Sequence, residues 1–298
     1  MNQWEDLQRE LQGSKGFAAW VRQQVIPRGT QLAEEARQHV FRQRWNNTLP
    51  SQDEILRDVD SLFCEFLDTE YALYLRYEEQ CALKAVELAL SDHAAQQYPN
   101  TSYLIKSAIS ALETPTTSPL EKLKAVAEHL RPFYRLFEQS LAQGRMSRAG
   151  GSAQLHLDYL LRHLGYAGEF ETQQVLNGKV DFLFPSRQAW ELDRQRCIVV
   201  SVKRSLRERY KQVFEELGIT GGLTVYLVIT QTLDEAKKDL TKEKIDNIRK
   251  QNVYLVVRDV VKNNMFPKEN RALSFSQFMT EELPLRRRLW QPLLGEQR

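Results

Sequence analysis

The chain has 298 residues, 42% hydrophobic and 27% charged, with a formal net charge of +2. Those values support one large domain or two modest ones with a real core, and they exclude a disordered chain. No apolar run approaches the roughly 18 residues a membrane helix needs, so no membrane partner is expected. The first half reads as helical. Across 53–66 the apolar residues Ile55, Val59, Leu62, Phe63 and Phe66 recur at helical spacing. Segments near 30–46, 68–91, 101–113 and 119–141 are rich in helix formers, and Thr114–Pro119 is a breaker leading to a helix start at Pro119. Gly144, Gly150 and Gly151 fall within nine residues and read as a junction. The predicted boundary separates an all-helical domain, 1–143, from a second domain, 144–298.

The second half changes character. Residues 153–164 form a helix with Leu157, Leu160, Leu161 and Leu164 on one face. Strands follow around 169–176, 179–184 and 196–203, then a helix over 205–217. Leu223–Ile229 and Val253–Val257 are apolar almost throughout, as buried central strands are. Between them a polar helix is expected over 233–250. The order predicts an α/β domain with a mixed sheet and helices on both faces.

Charge divides along the same line. Residues 144–298 hold 26 Lys and Arg against 19 Asp and Glu, whereas 1–143 hold 15 against 20. A basic half beside an acidic one suits a polyanionic partner, and it is equally consistent with chance clustering of surface lysines. The cysteines, Cys64, Cys81 and Cys197, are scattered and odd in number. They fit reduced thiols in a cytoplasmic protein, as does the absence of a signal-peptide pattern at Met1–Glu5.

Three ionisable residues stand out. Asp181 interrupts the apolar strand Val180–Pro185, where alternation turns it away from Val180, Phe182 and Phe184. A carboxylate there is costly without a partner or a metal. Lys203 closes the strand Cys197–Lys203 and shares a face with Ser201. On the next helix Leu206, Tyr210, Val213, Phe214 and Leu217 form the apolar stripe. Glu216 projects within about 20° of Arg209 along its edge, and Glu215 points away. Asp181 and Glu216 supply the hard oxygen ligands that Mg²⁺ prefers, and Lys203 can stabilise charge on a phosphate. Taken singly, each residue fits a buried ion pair at a sheet edge; the combination carries the chemistry.

Asp181, then Ser201-Val202-Lys203 with the lysine 22 residues on, then Glu216 after 13 more, resembles a known pattern. It is similar to the type II restriction endonucleases that recognise CC and GG steps, within the PD-(D/E)XK nuclease superfamily. Ser201 occupies the position that is acidic in the wider superfamily. In this group the acid is displaced to the following helix, which Glu216 matches. The resemblance covers roughly 145–280. It implies a restriction-endonuclease-like core, Mg²⁺-dependent cleavage of duplex DNA and staggered ends with 5′ overhangs. The implied target is a short palindrome with a CC/GG core: CCGG, CCNGG or an extended version. Lys203–Arg209 resembles the recognition element of the group. Arginine suits guanine O6 and N7, and a carboxylate accepts from cytosine N4, so Arg207, Glu208 and Arg209 are the candidate base readers. An Arg-Glu-Arg turn is also common as a solvated helix start. A palindromic target implies at least a homodimer.

Weaker DNA contacts are Arg148, in a stretch resembling the family's approach to its catalytic domain, and Arg44 with Trp45, which mix basic and aromatic groups. Trp45 equally suits packing on its own domain. Arg286-Arg287-Arg288 suits phosphate contact or a solvated tail, and His156 is expected at the surface. The helical half is a candidate for outer base pairs or for dimer formation. Two other readings stay open: a repair or structure-specific nuclease on the same fold, and a DNA-binding protein whose acidic residues form a structural ion-pair network.

Overall fold

The computed structural model describes residues 3–115, 118–172, 180–206, 224–250 and 253–295. Of the expected strands over 169–176 and 179–184 and the expected helix over 205–217, residues 173–176, 179 and 207–217 fall outside these ranges. By contacts the chain divides into two units, 1–36 with 69–149, and 37–68 with 150–298.

Eight helices open the chain: α1 (Gln3–Leu11), α2 (Phe17–Val25), α3 (Gly29–Trp45), α4 (Gln52–Arg57), α5 (Val59–Ala89), α6 (Asp92–Gln97), α7 (Pro99–Glu113) and α8 (Pro119–Leu161). Their starts are chemically marked. The Ser51 hydroxyl accepts from the Glu54 amide while Glu54 reaches back to the Ser51 amide, closing a capping box on α4. Ser118 and Glu121 make the same reciprocal bonds at α8, the start expected at Pro119. The core of the first unit gathers Leu11, Phe17, Leu32, Cys81, Ile105, Phe133 and Phe137.

The glycine junction lies inside a helix: α8 runs through all three glycines, and the division between the units falls among them, after 149. Each interior glycine costs about 1 kcal/mol relative to Ala, which burial on either side offsets. Leu136, Phe137 and Leu141 are buried before them, and Ala153, Leu157 and Leu160 after. Gly144 has a packing reason. A side chain there would run into the Arg22 guanidinium, which donates to the Ser140 carbonyl at 3.0 Å.

The second unit is built on a six-stranded sheet. In spatial order it runs β1 (Glu171–Thr172), β2 (Phe182–Phe184), β3 (Ile198–Lys203), β4 (Thr224–Ile229), β5 (Val253–Val257) and β6 (Ala272–Ser274). The first two pairings are antiparallel and the last three parallel. Register aligns Phe182 with Val200, Val200 with Tyr226 and Tyr226 with Tyr254, so these share one face. A helix, α13 (Leu283–Gly295), lies against that face: Trp290 is 5.2 Å from Phe184, and Arg286 donates to the Tyr226 hydroxyl at 2.8 Å. The opposite face carries Leu183, Val199 and Leu227 and meets α8. Helices therefore cover both faces, and the core includes Leu157, Leu160, Val199, Leu227 and Leu255.

Between β4 and β5 the expected single helix is two, α10 (Leu233–Asp239) and α11 (Lys242–Lys250). The chain breaks where Asp239 turns a fully buried carboxylate inward. A short α9 (Arg187–Leu192), α12 (Asp259–Met265) and the edge strand β6 complete the unit and were not anticipated by pattern. Among the described residues no helix is long and apolar enough to cross a membrane.

Candidate active site

The antiparallel register between β2 and β3 builds the site. Phe182 faces Val200, so the preceding residue, Asp181, stands opposite Ser201. Directly opposed residues project to the same face, and Lys203 follows two positions along that face. Asp181 Oδ2 accepts from Ser201 Oγ at 3.1 Å, the Val202 amide at 2.6 Å and Lys203 Nζ at 3.3 Å. Oδ1 accepts from the side-chain Nε2 of Gln154 on α8. The side chains of Asp181 and Lys203 are 13% and 11% exposed. A charge pair this buried is tolerated because additional donors satisfy the carboxylate.

Of the residues singled out in the sequence, the structure brings Asp181, Ser201 and Lys203 together. Gln154 was not among those singled out. That residue lies seven positions before Leu161, which projects within about 20° of it on the leucine stripe, so the stripe itself carried the signal. Glu216, Arg207, Glu208 and Arg209 lie outside the described residues. Among the described residues no three His, Cys, Asp or Glu side chains gather as a metal cage.

The chain leaving β3 is held by a second buried carboxylate. Asp239 Oδ2 accepts from the Leu206 amide at 2.8 Å and from Gln231 Nε2 at 3.0 Å, and Oδ1 from Lys244 Nζ at 2.6 Å. Burial pushes its carboxyl upward, but the Lys244 ammonium, the Leu206 amide and Gln231 outweigh it and hold it below the ordinary range.

The weaker candidates are engaged within their own units. Arg44 donates to Glu65 at 2.7 Å, Ser61 at 2.6 Å and Asp58 at 3.3 Å, and its guanidinium lies 5.6 Å from the Trp45 ring. Trp45 is partly buried, 5.7 Å from Phe41. Arg148 donates to the Pro27 carbonyl at 3.2 Å and lies over the Tyr74 ring. His156 is not at the surface. It is fully buried, stacked on Phe66 at 5.3 Å with Arg37 at 3.4 Å, because it falls on the leucine stripe of α8. Nor is the arginine run a solvated tail. Arg286 joins Glu282 and Tyr226, and Arg287 donates to Glu169 at 2.9 Å and to the Gly165 carbonyl; only Arg288 of the three is exposed.

The chain is 29% identical over 159 residues to the type II restriction enzyme SsoII of Shigella sonnei, covering 50% of each protein. It is 37% identical over 82 residues to the type II restriction enzyme EcoRII of Escherichia coli, covering 26% of this chain and 20% of that one. The chain thus matches half the length of the first relative and a fifth of the second. Among solved structures it shares the fold of metal-depleted Ecl18kI in complex with uncleaved DNA, at TM-score 0.70 and 17% identity over 97% of this chain and 86% of that one. It also shares the fold of the PspGI–substrate DNA complex, at TM-score 0.52 and 16% identity over 90% and 96%. Residues 119–279, more than half of the chain, match the family model described as EcoRII C terminal, and the chain belongs to that family.

Proposed function

We propose that the chain is a type II site-specific deoxyribonuclease. It hydrolyses both strands of duplex DNA at a short palindrome with a CC/GG core, CCGG, CCNGG or an extended version, and leaves 5′ overhangs. One observation carries the chemistry: Asp181 and Lys203 meet at 3.3 Å on a sheet face, with Ser201 and Gln154 completing the carboxylate's partners. Family membership and the shared fold support the same reading.

Asp181 offers hard oxygen donors, and the proposed second carboxylate is Glu216, so the donor chemistry fits Mg²⁺ rather than a soft metal. Such an ion, when bound, supplies Lewis acidity at the phosphate and a water of lowered pKa. The protein's own groups do the rest. Asp181 is held in one rotamer by Ser201, the Val202 amide and Gln154, so little reorganisation is needed when it takes a ligand. Lys203 stands beside it and donates to a phosphate oxygen as negative charge develops. Arg207, Glu208 and Arg209, following Lys203 in sequence, read the core bases. The palindrome calls for a homodimer, with a higher oligomer also compatible. The helical residues 1–143 contact outer base pairs or join the protomers. Arg148, Arg44 and Trp45 are assigned supporting DNA contacts. The protein acts in the cytoplasm.

The test is digestion of sequenced DNA by the purified protein with Mg²⁺ or with EDTA, followed by sequencing of the fragment ends. Discrete Mg²⁺-dependent fragments whose ends share a CC/GG palindrome are expected. A smear would point instead to a structure-specific or nonspecific nuclease. Intact DNA across many substrates would reduce the cluster to a structural ion pair.

A further inference from the structure

We infer that Asp239, with Lys244, is a positioning residue for site discrimination. It fixes the chain that continues from the proposed catalytic strand toward the proposed base readers. This inference rests on the function proposed above and adds a residue outside the catalytic cluster.

The carboxylate of Asp239 has no solvent exposure, yet both of its oxygens are used. One oxygen holds Lys244, and the other is shared by Gln231 and the backbone amide of Leu206. Lys244 also donates to the Asp239 carbonyl at 2.9 Å, where α10 ends. Leu206 is itself buried, three residues beyond Lys203 and one before Arg207. Its amide is therefore pinned to helices α10 and α11, with its side chain in the core. Arg204 adds an exposed tie to Glu235 at 3.5 Å, of the kind that contributes little.

The arrangement is expensive for a purely structural device. Burying a charge pair is often no better for stability than packing apolar side chains of the same volume. Here it also interrupts a helix whose pattern would run from 233 to 250. What the pair provides, and an apolar plug would not, is a directional bond to one backbone amide at the exit of β3. A base reader displaced by about 1 Å loses its bidentate geometry while nonspecific phosphate contacts survive. The consequence of loosening Leu206 is thus a loss of discrimination ahead of a loss of cutting.

The experiment compares Asp239→Asn and Lys244→Met with the wild type. Single-turnover cleavage is measured on a cognate duplex and on duplexes with one core base pair exchanged, alongside thermal unfolding. Val256→Ala, a core change away from this network, serves as the stability-matched control. The expected result is a fall of at least ten-fold in the ratio of cognate to altered-site cleavage in both variants, with cognate cleavage reduced less than that ratio. The control keeps the wild-type ratio. A ratio unchanged in Lys244→Met, or lowered equally in the control, would overturn the inference while leaving the nuclease reading intact. A wild type that cuts no site would overturn both. Because Lys244 is part-exposed, its replacement still reports if Asp239→Asn fails to fold.

Discussion

Two carboxylates sit beside cations at strand ends of the second unit, and their environments differ. Asp181, beside Lys203 near the end of β3, has four donors and little exposed surface. Asp60, near the end of β5, has an oxygen that is buried with no hydrogen-bond partner among the described residues. Its nearby cation is spent elsewhere: Arg258 donates to Cys64 Sγ at 2.6 Å and lies 3.8 Å from Asp68. Burial, and then the charge of Asp259, push the Asp60 carboxyl up to about 6. A small, partly open space lies beside it, lined by Phe63, Cys64, Leu67 and Phe275. The contrast separates a carboxylate whose two oxygens both have donors from one that the fold merely tolerates. What differs between these two carboxylates is the number of donors that satisfy them.

The largest stability effect that sharpens this contrast is expected at Asp60. Its folded pKa, about 6, lies above the ordinary 3.8, so the folded state binds the proton more tightly and loses stability as pH rises from 3.8 to 6. Asp60→Asn removes that cost and should stabilise the protein by up to about 3 kcal/mol at pH 8, fading below pH 4. Denaturant unfolding across that range measures it, and a gain that does not depend on pH would contradict the assignment. A smaller effect distinguishes neighbouring arginines. Arg287 is tied to Glu169, to the Gly165 carbonyl and, at 4.7 Å, to the Tyr166 ring. Arg287→Ala should cost about 2 kcal/mol, because it removes the cation from a mostly buried carboxylate and leaves it the Trp290 indole N–H. Arg288→Ala, at an exposed position, should stay within about 0.5 kcal/mol. Thermal melts of the two variants make the comparison, and equal shifts would argue against the network.

Much of the site was legible because strand alternation is strict. Once Asp181 and Ser201 are each placed on a strand, antiparallel pairing decides whether they meet, and the apolar runs Val253–Val257 and Leu223–Ile229 mark the central strands without ambiguity. The failures share one cause, which is that local pattern does not report what packs against a residue. Gly144 read as part of a junction because glycine is a poor helix former, whereas here it lies inside a helix and makes room for Arg22. Residues 233–250 read as one helix because the pattern continues through Asp239, and only the buried partners of that carboxylate end it. His156 read as a surface residue by type, although its position on the leucine stripe placed it in the core. Short β6 and α9 carry too few residues for any periodicity to emerge.

The central claim is that Asp181 and Lys203 perform chemistry rather than hold the sheet together. It is tested most directly by measuring DNA binding and single-turnover cleavage on the same variants, Lys203→Met and Asp181→Ala, with unfolding monitored in parallel. The account expects cleavage to fall by at least about 10²-fold, the scale of removing one preorganised charge from a reacting phosphate, while the dissociation constant for cognate DNA moves by no more than a few-fold. Binding and cleavage lost together, in step with a loss of stability, would make the pair a structural ion pair and contradict the account.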